Sequence, residues 1–430
     1  MSRLEEPTNE ASAMQKEISA IAEQGGGRAT KVEQLIQQYC PDGVEFKKIK
    51  EVYQRIKGTP ITAGKMKEIQ CPDGEIRIFA GGKTVIDANE ADIPNANITR
   101  VPAVLVQSRG IIDAIYYDKP FTFKNEMWAY THKEQTSVKF LYYVMKQNIQ
   151  HFRDAASGMG ALPQISLGTT EDFSIPVPPL PVQEEIVRIL DTLTELQAEL
   201  QAELQKRKQQ YNYYLDNLLS FNDINRGGQA EVKWMKMNEV FEIRNGYTPS
   251  KAKKEFWEGG TIPWFRMEDI RQNGRILSDS ILHITPKGVK GKGLFKANSF
   301  ILATTATIGE HALIIADSLA NQRFTNLSIR KSLENELSVK YVYYYFFVID
   351  EWCKANTNVS NFASVDMSKF YNLLIPIPSI AEQQRIVSIL DRFDTITTDL
   401  TQGLPAEIEK RRQQYEYYRD KLLTFKRKGA

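Results

Sequence analysis

The sequence predicts an α+β chain built as a pseudo-twofold tandem repeat, with two globular domains joined by two long helices that form an intramolecular antiparallel coiled coil. Three observations support this fold class. Blocks of sequence recur about 200 positions apart, and each block leads into a long helix with coiled-coil spacing. The remaining regions alternate short β-rich runs with Gly, Pro and Asn turns, which is typical of mixed globular domains.

The strongest self-similarity lies in the two helices and in the residues just before them. The recurring blocks are IPVP at 175–178 with IPIP at 375–378, QEEIVRILD at 183–191 with QQRIVSILD at 383–391, and KRKQQYNYYLDNLLSF at 206–221 with KRRQQYEYYRDKLLTF at 410–425. Elsewhere only short anchors match, such as SVKFLYY from Ser137 and SVKYVYY from Ser338. A scaffold that did one job twice would keep both parts alike. The divergence of the globular regions therefore indicates that they do different jobs.

Apolar residues in both helices follow alternating steps of three and four, the spacing of a coiled-coil seam. The assigned seam residues are Ile186, Leu190, Leu193, Leu200, Leu204, Tyr211 and Leu218 in the first helix and Ile386, Leu390, Phe393, Leu400, Ile408, Tyr415 and Leu422 in the second. Such a seam suits a homodimer, a partner-binding rod or an internal pair, and two similar helices in one chain favour the internal pair. Helices of about 40 residues would be about 60 Å long and would carry the globular regions to opposite ends.

These patterns divide the chain into five segments. We expect an N-terminal extension at 1–30, helical or disordered, globular domains at 31–178 and 225–378, and long helices at 179–224 and 379–426. In the second helix a four-residue stutter in the seam coincides with a glycine and a proline. Proline removes a backbone hydrogen bond inside a helix, so the sequence predicts a kink or short break near 402–405.

Basic and amide side chains lie in the presumed loops of both globular regions. Arginine and lysine suit guanine edges and phosphates, whereas asparagine and glutamine suit adenine edges. The candidates for DNA contact are Lys57, Thr59, Lys65, Lys67 and Arg109 in the first region and Tyr247, Ser250, Lys251, Lys253, Arg266, Asn321, Gln322 and Arg323 in the second. For any one of them a solvated surface charge or a turn former is the commoner explanation. The whole set is a better candidate than any single member, because two separate globular domains could each recognise part of a DNA site.

Composition and motifs limit the other function classes. With 55 Lys and Arg against 53 Asp and Glu, the composition does not announce a nucleic-acid binder, so DNA affinity must come from local patches or from a partner. The run Gly81-Gly82-Lys83-Thr84 imitates the end of a phosphate loop, but the required first glycine would fall at Arg77. The sequence also lacks GxGxxG after a strand, HExxH and the Asn/Asp-Pro-Pro-aromatic tetrapeptide of amino-methyltransferases. We therefore assign no catalytic residue, metal ligand or cofactor to this chain.

Cysteine usage and hydropathy indicate the compartment. Cys40, Cys71 and Cys353 show no CxxC spacing, which favours a reducing environment over a disulfide framework. The longest strongly apolar run, 341–349, is much shorter than the roughly 20 residues that span a bilayer. The acidic, polar residues 1–10 do not resemble a signal peptide. We expect a cytoplasmic protein.

A specific signature is the IP-x-P, Gln, I-V-x-I-L-D block followed by KRxQQYxYY. Together with weaker matches such as KGTP and NGYTPS, the signature spans about Lys31 to Phe425. On these motifs the chain resembles the specificity (S) subunit of type I restriction-modification systems. The resemblance implies two target-recognition domains, each reading one half of an asymmetric, bipartite double-stranded DNA site. It also implies that the helices set the gap between the halves, and that the chain is not itself an enzyme.

The resemblance further implies partner proteins. These would be two methyltransferase (M) subunits, which use S-adenosylmethionine to methylate adenine, and restriction (R) subunits, which hydrolyse ATP with Mg²⁺. The cofactors would then belong to the partners and not to this chain. The helix surfaces near Lys206 to Tyr214 and Lys410 to Tyr418 would be docking surfaces for the M subunits, although solvated charge explains them equally well.

Two other classes of function stay open on the sequence. One is a coiled-coil adaptor that bridges two partners without binding DNA, and the other is an enzyme of unfamiliar kind, such as a nuclease. Selection from random-sequence DNA with methyltransferase partners present distinguishes them, because only the specificity subunit enriches a bipartite motif.

Overall fold

The computed structural model describes residues 31–157, 162–221, 232–358, 363–399 and 401–429. The predicted extension at 1–30 and the seam residue Leu400 lie outside the described residues. The chain forms two compact units, which divide between Leu200 and Gln201 and again between Glu407 and Ile408. We call the described residues of 31–178 the first head and those of 225–378 the second head, and each head lies within one unit.

The first repeat ends with the first long helix. Its helices are α1 (Lys31–Tyr39), α2 (Ile49–Val52), α3 (Ala63–Ile69), α4 (Gln135–Gln147), α5 (Ile149–Asp154), α6 (Leu167–Glu171) and α7 (Leu180–Leu219). Its strands are β1 (Phe46–Lys48), β2 (Gln54–Lys57), β3 (Ile76–Phe79), β4 (Val85–Ala88), β5 (Ala103–Gln107), β6 (Asp113–Tyr117), β7 (Phe121–Phe123), β8 (Trp128–Thr131) and β9 (Ser174–Pro176). The long helix α7 has 40 residues and ends earlier than the predicted residue 224.

The second repeat keeps the order of the main strands but differs from the first in its short helices and short strands. Its helices are α8 (Met237–Val240), α9 (Met267–Asn273), α10 (Val339–Ala355), α11 (Met367–Tyr371), α12 (Ile380–Thr398) and α13 (Leu404–Leu422). Its strands are β10 (Lys233–Lys236), β11 (Phe241–Asn245), β12 (Ile262–Phe265), β13 (Ile276–Leu277), β14 (His283–Ile284), β15 (Ser299–Ala303), β16 (His311–Ile314), β17 (Leu319–Ala320), β18 (Phe324–Ile329), β19 (Thr357–Asn358), β20 (Ser364–Val365) and β21 (Leu374–Ile377). No helix of the described ranges is both long enough and apolar enough to cross a membrane.

The two heads share one sheet topology although their sequences hardly match. The first head has a sheet of order β2-β8-β5-β6 and a second sheet of order β4-β3-β7. The second head repeats them as β11-β18-β15-β16 and β14-β12-β17, with β13 added at the edge of the larger sheet. In both smaller sheets the equivalent strand pair is parallel, β3 with β7 and β12 with β17. The predicted α+β fold with two repeated domains is confirmed.

Burial on both faces explains why the central strands are continuous apolar runs. Every residue of β5 and of β15 is buried. Because successive side chains point to opposite faces, Val104 and Val106 pack in the core that contains α4, whereas Leu105 packs in the core between the sheets. The same division holds in β15, where Phe300 faces the core of α10 and Ile301 faces the other side.

A buried glutamine fixes the turn that leads into each long helix. Gln183 Nε2 donates to the carbonyl of Pro178 at 2.7 Å, and Gln383 Nε2 donates to the carbonyl of Pro378 at 2.8 Å. Proline carbonyls at such a turn have no helical donor, so a side-chain amide replaces one. This bond explains why IP-x-P and the glutamine five residues later recur together in the sequence.

An aspartate about two turns further along α7 ties the first head to this helix. The hydroxyl of Tyr143 in α4 donates to Asp191 Oδ1 at 2.5 Å, and Lys139 Nζ lies 2.8 Å from Asp191 Oδ2. Burial, together with the hydrogen bond to this carboxylate, raises the pKa of Tyr143 and keeps its hydroxyl protonated as a donor.

The second repeat contains the same arrangement. The hydroxyl of Tyr344 in α10 donates to Asp391 Oδ1, and Lys340 Nζ lies 2.8 Å from the same carboxylate oxygen. We call each of these Tyr, Lys and Asp groups a head-helix clamp. The clamps join SVKFLYY to ILD in one repeat and SVKYVYY to ILD in the other, which are the segments that the two repeats keep in common.

The seam residues pack within each unit. In the first unit Ile186, Leu190 and Leu193 are buried in one core with Leu422, and Leu200 and Tyr415 pack against it. In the second unit Leu218, Ile386 and Leu390 are buried in one core. There the ring of Tyr211 lies 6.3 Å from that of Phe393. Leu204 and Ile408 are half-buried.

The second long helix is interrupted, whereas the sequence predicted either a kink or a short break near 402–405. Helix α12 ends at Thr398 and α13 begins at Leu404, with a turn held by Asp399, whose Oδ1 accepts from the backbone N of Thr401 at 2.7 Å. Pro405 falls in the first turn of α13, where its missing N–H costs nothing. A Cβ added at Gly403 would lie 2.5 Å from the Thr395 carbonyl oxygen, so the turn requires glycine.

The head-helix clamp is testable by a double-mutant cycle in the second repeat. We expect Tyr344→Phe and Asp391→Ala to lower the free energy of unfolding non-additively, with a coupling energy of about 1 to 3 kcal/mol. Asp391→Ala removes the acceptor of the Tyr344 hydroxyl, whereas in Tyr344→Phe that hydroxyl is already absent and Asp391 keeps Lys340. The measurement is urea unfolding of the two single variants and the double variant. Tyr417→Phe is the control, since Tyr417 is 61% exposed. Purely additive effects would contradict the clamp.

Candidate nucleic-acid interface

The loops that follow β2, β3, β5 and β7 converge on one edge of the first head. Thr59 N donates to the Phe123 carbonyl at 2.7 Å and Lys124 N donates to the Phe79 carbonyl at 2.9 Å, which brings three of the loops together. Residues 162–166 join them through the backbone N of Ile165, which donates to the Ser108 carbonyl at 2.9 Å. We call this surface the loop edge.

The second head has the equivalent loop edge. Tyr247 N donates to the carbonyl of Ala320, the last residue of β17, at 2.9 Å, and Asn321 N donates to the Phe265 carbonyl at 3.1 Å. Thr304 joins them, because its N donates to the Arg323 carbonyl at 3.0 Å and its carbonyl accepts from Val365 N at 2.9 Å. The backbone framework is therefore the same in both heads, while the side chains that it displays differ.

A cleft of about 360 Å³ opens at the loop edge of the first head. Its charged lining consists of Lys67, Arg109, Lys124 and Glu126, and its apolar lining includes Met66, Ile86 and Leu162. Lys124 Nζ pairs with Glu126 Oε1 at 2.9 Å. An apolar cleft with a few donors and one carboxylate can hold a flat polar ring and test its hydrogen-bonding edge.

Glycines shape the wall of this cleft. Gly82 and Gly110 have φ angles of +72° and +80°, in the left-handed region that favours glycine. Gln107 Nε2 donates to the Gly82 carbonyl at 2.7 Å and Gly82 N donates to the Arg109 carbonyl at 3.3 Å. The Gly81-Gly82-Lys83-Thr84 run is thus a turn between β3 and β4 that forms part of the cleft.

Four of the five predicted contacts in the first head are accessible. Arg109 and Lys67 line the cleft, Lys57 is exposed at the end of β2, and Lys65 is half-buried and pairs with Glu68 at 2.7 Å. Thr59 does not fit the prediction, since it is fully buried. Its hydroxyl bonds with the Thr122 hydroxyl at 2.7 Å and accepts from Asn97 N at 2.9 Å, so it holds the loop and has no surface for DNA.

In the second head the predicted trio between β17 and β18 lies at the loop edge. Gln322 and Arg323 are exposed, and the Asn321 side chain accepts from Arg323 N at 2.9 Å. Gln322 also accepts from the Thr248 hydroxyl, which links this loop to the one after β11. Arg266 follows β12 at the same edge and is half-buried, with no hydrogen-bond partner for its buried Nε among the described residues.

The remaining predicted residues follow β11. Ser250, Lys251 and Lys253 are exposed. Tyr247 is half-buried, and its hydroxyl donates to the Gly288 carbonyl at 3.2 Å and accepts from Lys290 N at 2.6 Å. Because both hydrogen-bonding roles of this hydroxyl are filled inside the protein, we correct the prediction for Tyr247 from a DNA contact to an anchor of a neighbouring loop.

A buried polar group supports the loop between β15 and β16. His311 Nδ1 lies 2.7 Å from Asp350 Oδ2, and Arg275 Nη1 lies 3.2 Å from the same oxygen. Burial lowers the pKa of His311, so its ring is neutral near pH 7 and its Nδ1–H can donate to the carboxylate. Within the described ranges no group of three or more His, Cys, Asp or Glu side chains could hold a metal ion.

Sequence reasoning missed two parts of these edges. In the first head it missed Lys124 and Glu126, which line the cleft without belonging to any motif. In the second head it missed Lys290 and Lys292, which are exposed in a segment with four lysines and no acid at 285–298. The second set had a signal in the sequence, namely a local excess of charge, that the balanced total composition concealed.

Comparison with known proteins agrees with the repeat. The family profile described as "Type I restriction modification DNA specificity domain" matches residues 41–207 and 229–410. The chain is 53% identical over 204 residues to the specificity subunit of the type I restriction enzyme EcoprrI of Escherichia coli, covering 46% of this chain and 51% of that protein. It is 40% identical over 306 residues to the EcoR124I/EcoR124II specificity subunit of Escherichia coli, covering 68% and 72%.

The fold also has a solved counterpart. The crystal structure of the type I restriction-modification S subunit from M. genitalium aligns with a TM-score of 0.56 at 16% identity, over 89% of this chain and 96% of that one. At this identity the likeness concerns the fold alone. The family profile, however, covers most of both repeats, and the chain therefore belongs to the family of type I restriction-modification DNA specificity subunits.

Proposed function

We propose that this chain is the non-catalytic subunit that reads a bipartite, asymmetric DNA site, with one half of the site bound by each head. The observation that carries the proposal is the loop edge, which has the same backbone framework in both heads but different side chains. A shared framework presents each edge to DNA in the same way, and different side chains make the two half-sites different.

The cleft of the first head supports base reading by direct hydrogen bonds. Arg109 can donate to the acceptor edge of guanine, and Glu126 can accept from the amino group of cytosine. In the second head Arg323 offers the same donors, while Gln322 offers an amide that suits adenine. We propose that the first head reads through its cleft and that the second head reads through the loop at 321–323.

Filling the cleft tests the assignment of the first half-site. A Cβ at Gly81 would lie 3.9 Å from both Glu126 Oε1 and the Arg109 carbonyl, so Gly81→Leu fills the cleft without a backbone clash. We expect it to weaken discrimination in one half-site by on the order of 10-fold or more and to leave the other half unchanged. Arg323→Ala should relax only the other half. The readout is selection from random-sequence DNA by the complex with M subunits.

Gly64→Leu is the matched control, because a Cβ there has only the Thr62 hydroxyl within reach, at 4.0 Å, and Gly64 does not line the cleft. If Gly81→Leu altered both halves, or neither, the assignment of one half-site to one head would fail. Enrichment of no bipartite motif by the unaltered complex would instead favour an adaptor that does not bind DNA.

We propose that the long helices act as a ruler between the half-sites. A four-residue insertion lengthens a helix by about 6 Å, which corresponds to roughly two base pairs at about 3.4 Å each. Insertion after Leu200 should therefore change the preferred gap by about that amount and leave both half-sites unaltered. The same insertion beside Lys119, in the turn between β6 and β7, should leave the gap unchanged. Altered half-sites with an unaltered gap would contradict the ruler.

The repeated tyrosines on the long helices support docking of two M subunits. Tyr213 and Tyr417 occupy equivalent positions in KRKQQYNYY and KRRQQYEYY, and they are 64% and 61% exposed. Exposed tyrosine is enriched at protein interfaces and often contributes much of the binding free energy there. Two equivalent surfaces fit two copies of one partner. S-adenosylmethionine would then be bound by the M subunits, and ATP and Mg²⁺ by the R subunits.

This docking proposal predicts stoichiometry. Tyr213→Ala or Tyr417→Ala alone should yield a complex with one M subunit, and the double variant should bind none at the concentration that saturates the unaltered chain, because each loses an interface anchor. Light scattering during size-exclusion chromatography measures the mass. Tyr39→Ala removes an exposed tyrosine outside the repeated block and should retain both M subunits. Retention of two M subunits by the double variant would exclude these surfaces.

A further inference from the structure

The two heads carry opposite charge on one equivalent segment. The connection from β4 to β5 and the connection from β14 to β15 both have 14 residues, 89–102 and 285–298. The first contains Glu90, Asp92 and Arg100, for a net charge of −1, whereas the second contains four lysines and no acid, for a net charge of +4. Because the two segments have equal length and equivalent flanking strands, they differ in charge and not in their place in the fold.

Two of the four lysines are engaged within the protein. Lys287 Nζ lies 3.1 Å from Glu255, and Lys296 Nζ lies 2.7 Å from Asp317. The other two, Lys290 and Lys292, are exposed, and neither pairs with a carboxylate in the part of the chain that the structure describes. Their positive charges are therefore available to an outside anion.

The segment that carries these two lysines is held in place on both sides of its tip. On one side Lys290 N donates to the Tyr247 hydroxyl at 2.6 Å. On the other side the Arg244 guanidinium donates to the Gly293 carbonyl at 2.7 Å. Anchoring of this kind lowers the entropy cost of placing Lys292 against a ligand.

Two glycines let the tip project. Gly291 and Gly293, on either side of Lys292, have φ angles of +59° and +78°. A Cβ added at either glycine would have no neighbouring atom within 4 Å, so the tip faces open space. The tip also lies beside the loop edge of the second head, because Tyr247 N donates to the Ala320 carbonyl at 2.9 Å.

We infer that Lys290 and Lys292 form a phosphate clamp that binds the DNA backbone next to the half-site of the second head, and that the first head has no counterpart. The inference rests on the proposed function, since it takes DNA as the ligand. Lysine is a compact point charge that suits a phosphate, and phosphate contacts position a protein without reading sequence. The clamp adds affinity and salt dependence, and the neighbouring loops supply the specificity.

The test is the double variant Lys290→Gln, Lys292→Gln in the complex with M subunits. Each lost phosphate contact should reduce the slope of log affinity against log salt by about 0.9, so the double variant should lose about 1.8 in slope. Affinity for the selected site at low salt should fall by on the order of 10-fold or more, with the selected sequence unchanged. Lys119→Gln, an exposed lysine at the opposite end of the first sheet, should alter neither quantity.

Neutral phosphates locate the contact. Methylphosphonate substitution at single positions beside the second half-site should weaken binding by the unaltered complex and have no further effect on the double variant. An unchanged salt slope, a changed sequence preference or a methylphosphonate effect equal in both proteins would overturn the clamp. These outcomes differ from failure of the proposed function, in which the unaltered complex itself would select no bipartite site.

Discussion

The head-helix clamp is the contact on which the rest of the chain depends. A tyrosine and a lysine of the last large helix of each head meet one aspartate on the long helix, Asp191 in one repeat and Asp391 in the other. The aspartate lies eight residues after the glutamine that fixes the turn into the same helix. The two bonds thus determine both where the long helix begins and how the head is attached to it. A head that retained these two bonds would stay attached to its long helix even if the sequences of its loops changed.

The separation between the segments that attach each head and the loops that each head displays explains why the two repeats are similar in some parts and not in others. The segments that make the clamp and the turn recur nearly unchanged, whereas the loop edges share only backbone hydrogen bonds. Backbone groups impose few demands on side chains beyond a glycine where space or φ requires one, as at Gly58 and Gly246, where an added Cβ would lie 2.1 Å and 2.2 Å from a carbonyl oxygen. The loops could therefore diverge without loss of the fold, which is what the proposed reading of two different half-sites requires.

The same distinction accounts for what the sequence could predict. Seam spacing and repetition located the long helices, and the recurring segments SVKFLYY, SVKYVYY and ILD turned out to contain the residues of both clamps. The loop residues were less predictable, because threonine and tyrosine in a turn serve equally well as contacts or as anchors. Thr59 is buried and accepts a hydrogen bond from Asn97, and the Tyr247 hydroxyl accepts one from Lys290. These partners are distant in sequence, so the sequence could not show that both residues are anchors. The cleft is lined by five separate segments of the chain, whose proximity no local pattern encodes.

The equivalent segments 89–102 and 285–298 differ in net charge. On the proposed function, the free energy of DNA binding would therefore have a different origin in each head. In the first head, the cleft lined by Lys67, Arg109, Lys124 and Glu126 would discriminate between bases through matched hydrogen bonds, which depend on base identity. Unpaired lysines gain their binding free energy from released counterions, which depend on salt and not on sequence. A chain with one head of each kind can be drawn to DNA by the second head while the first head rejects incorrect sites. On the proposed function, asymmetry of the target would reflect two physical modes of binding and not only two sets of side chains.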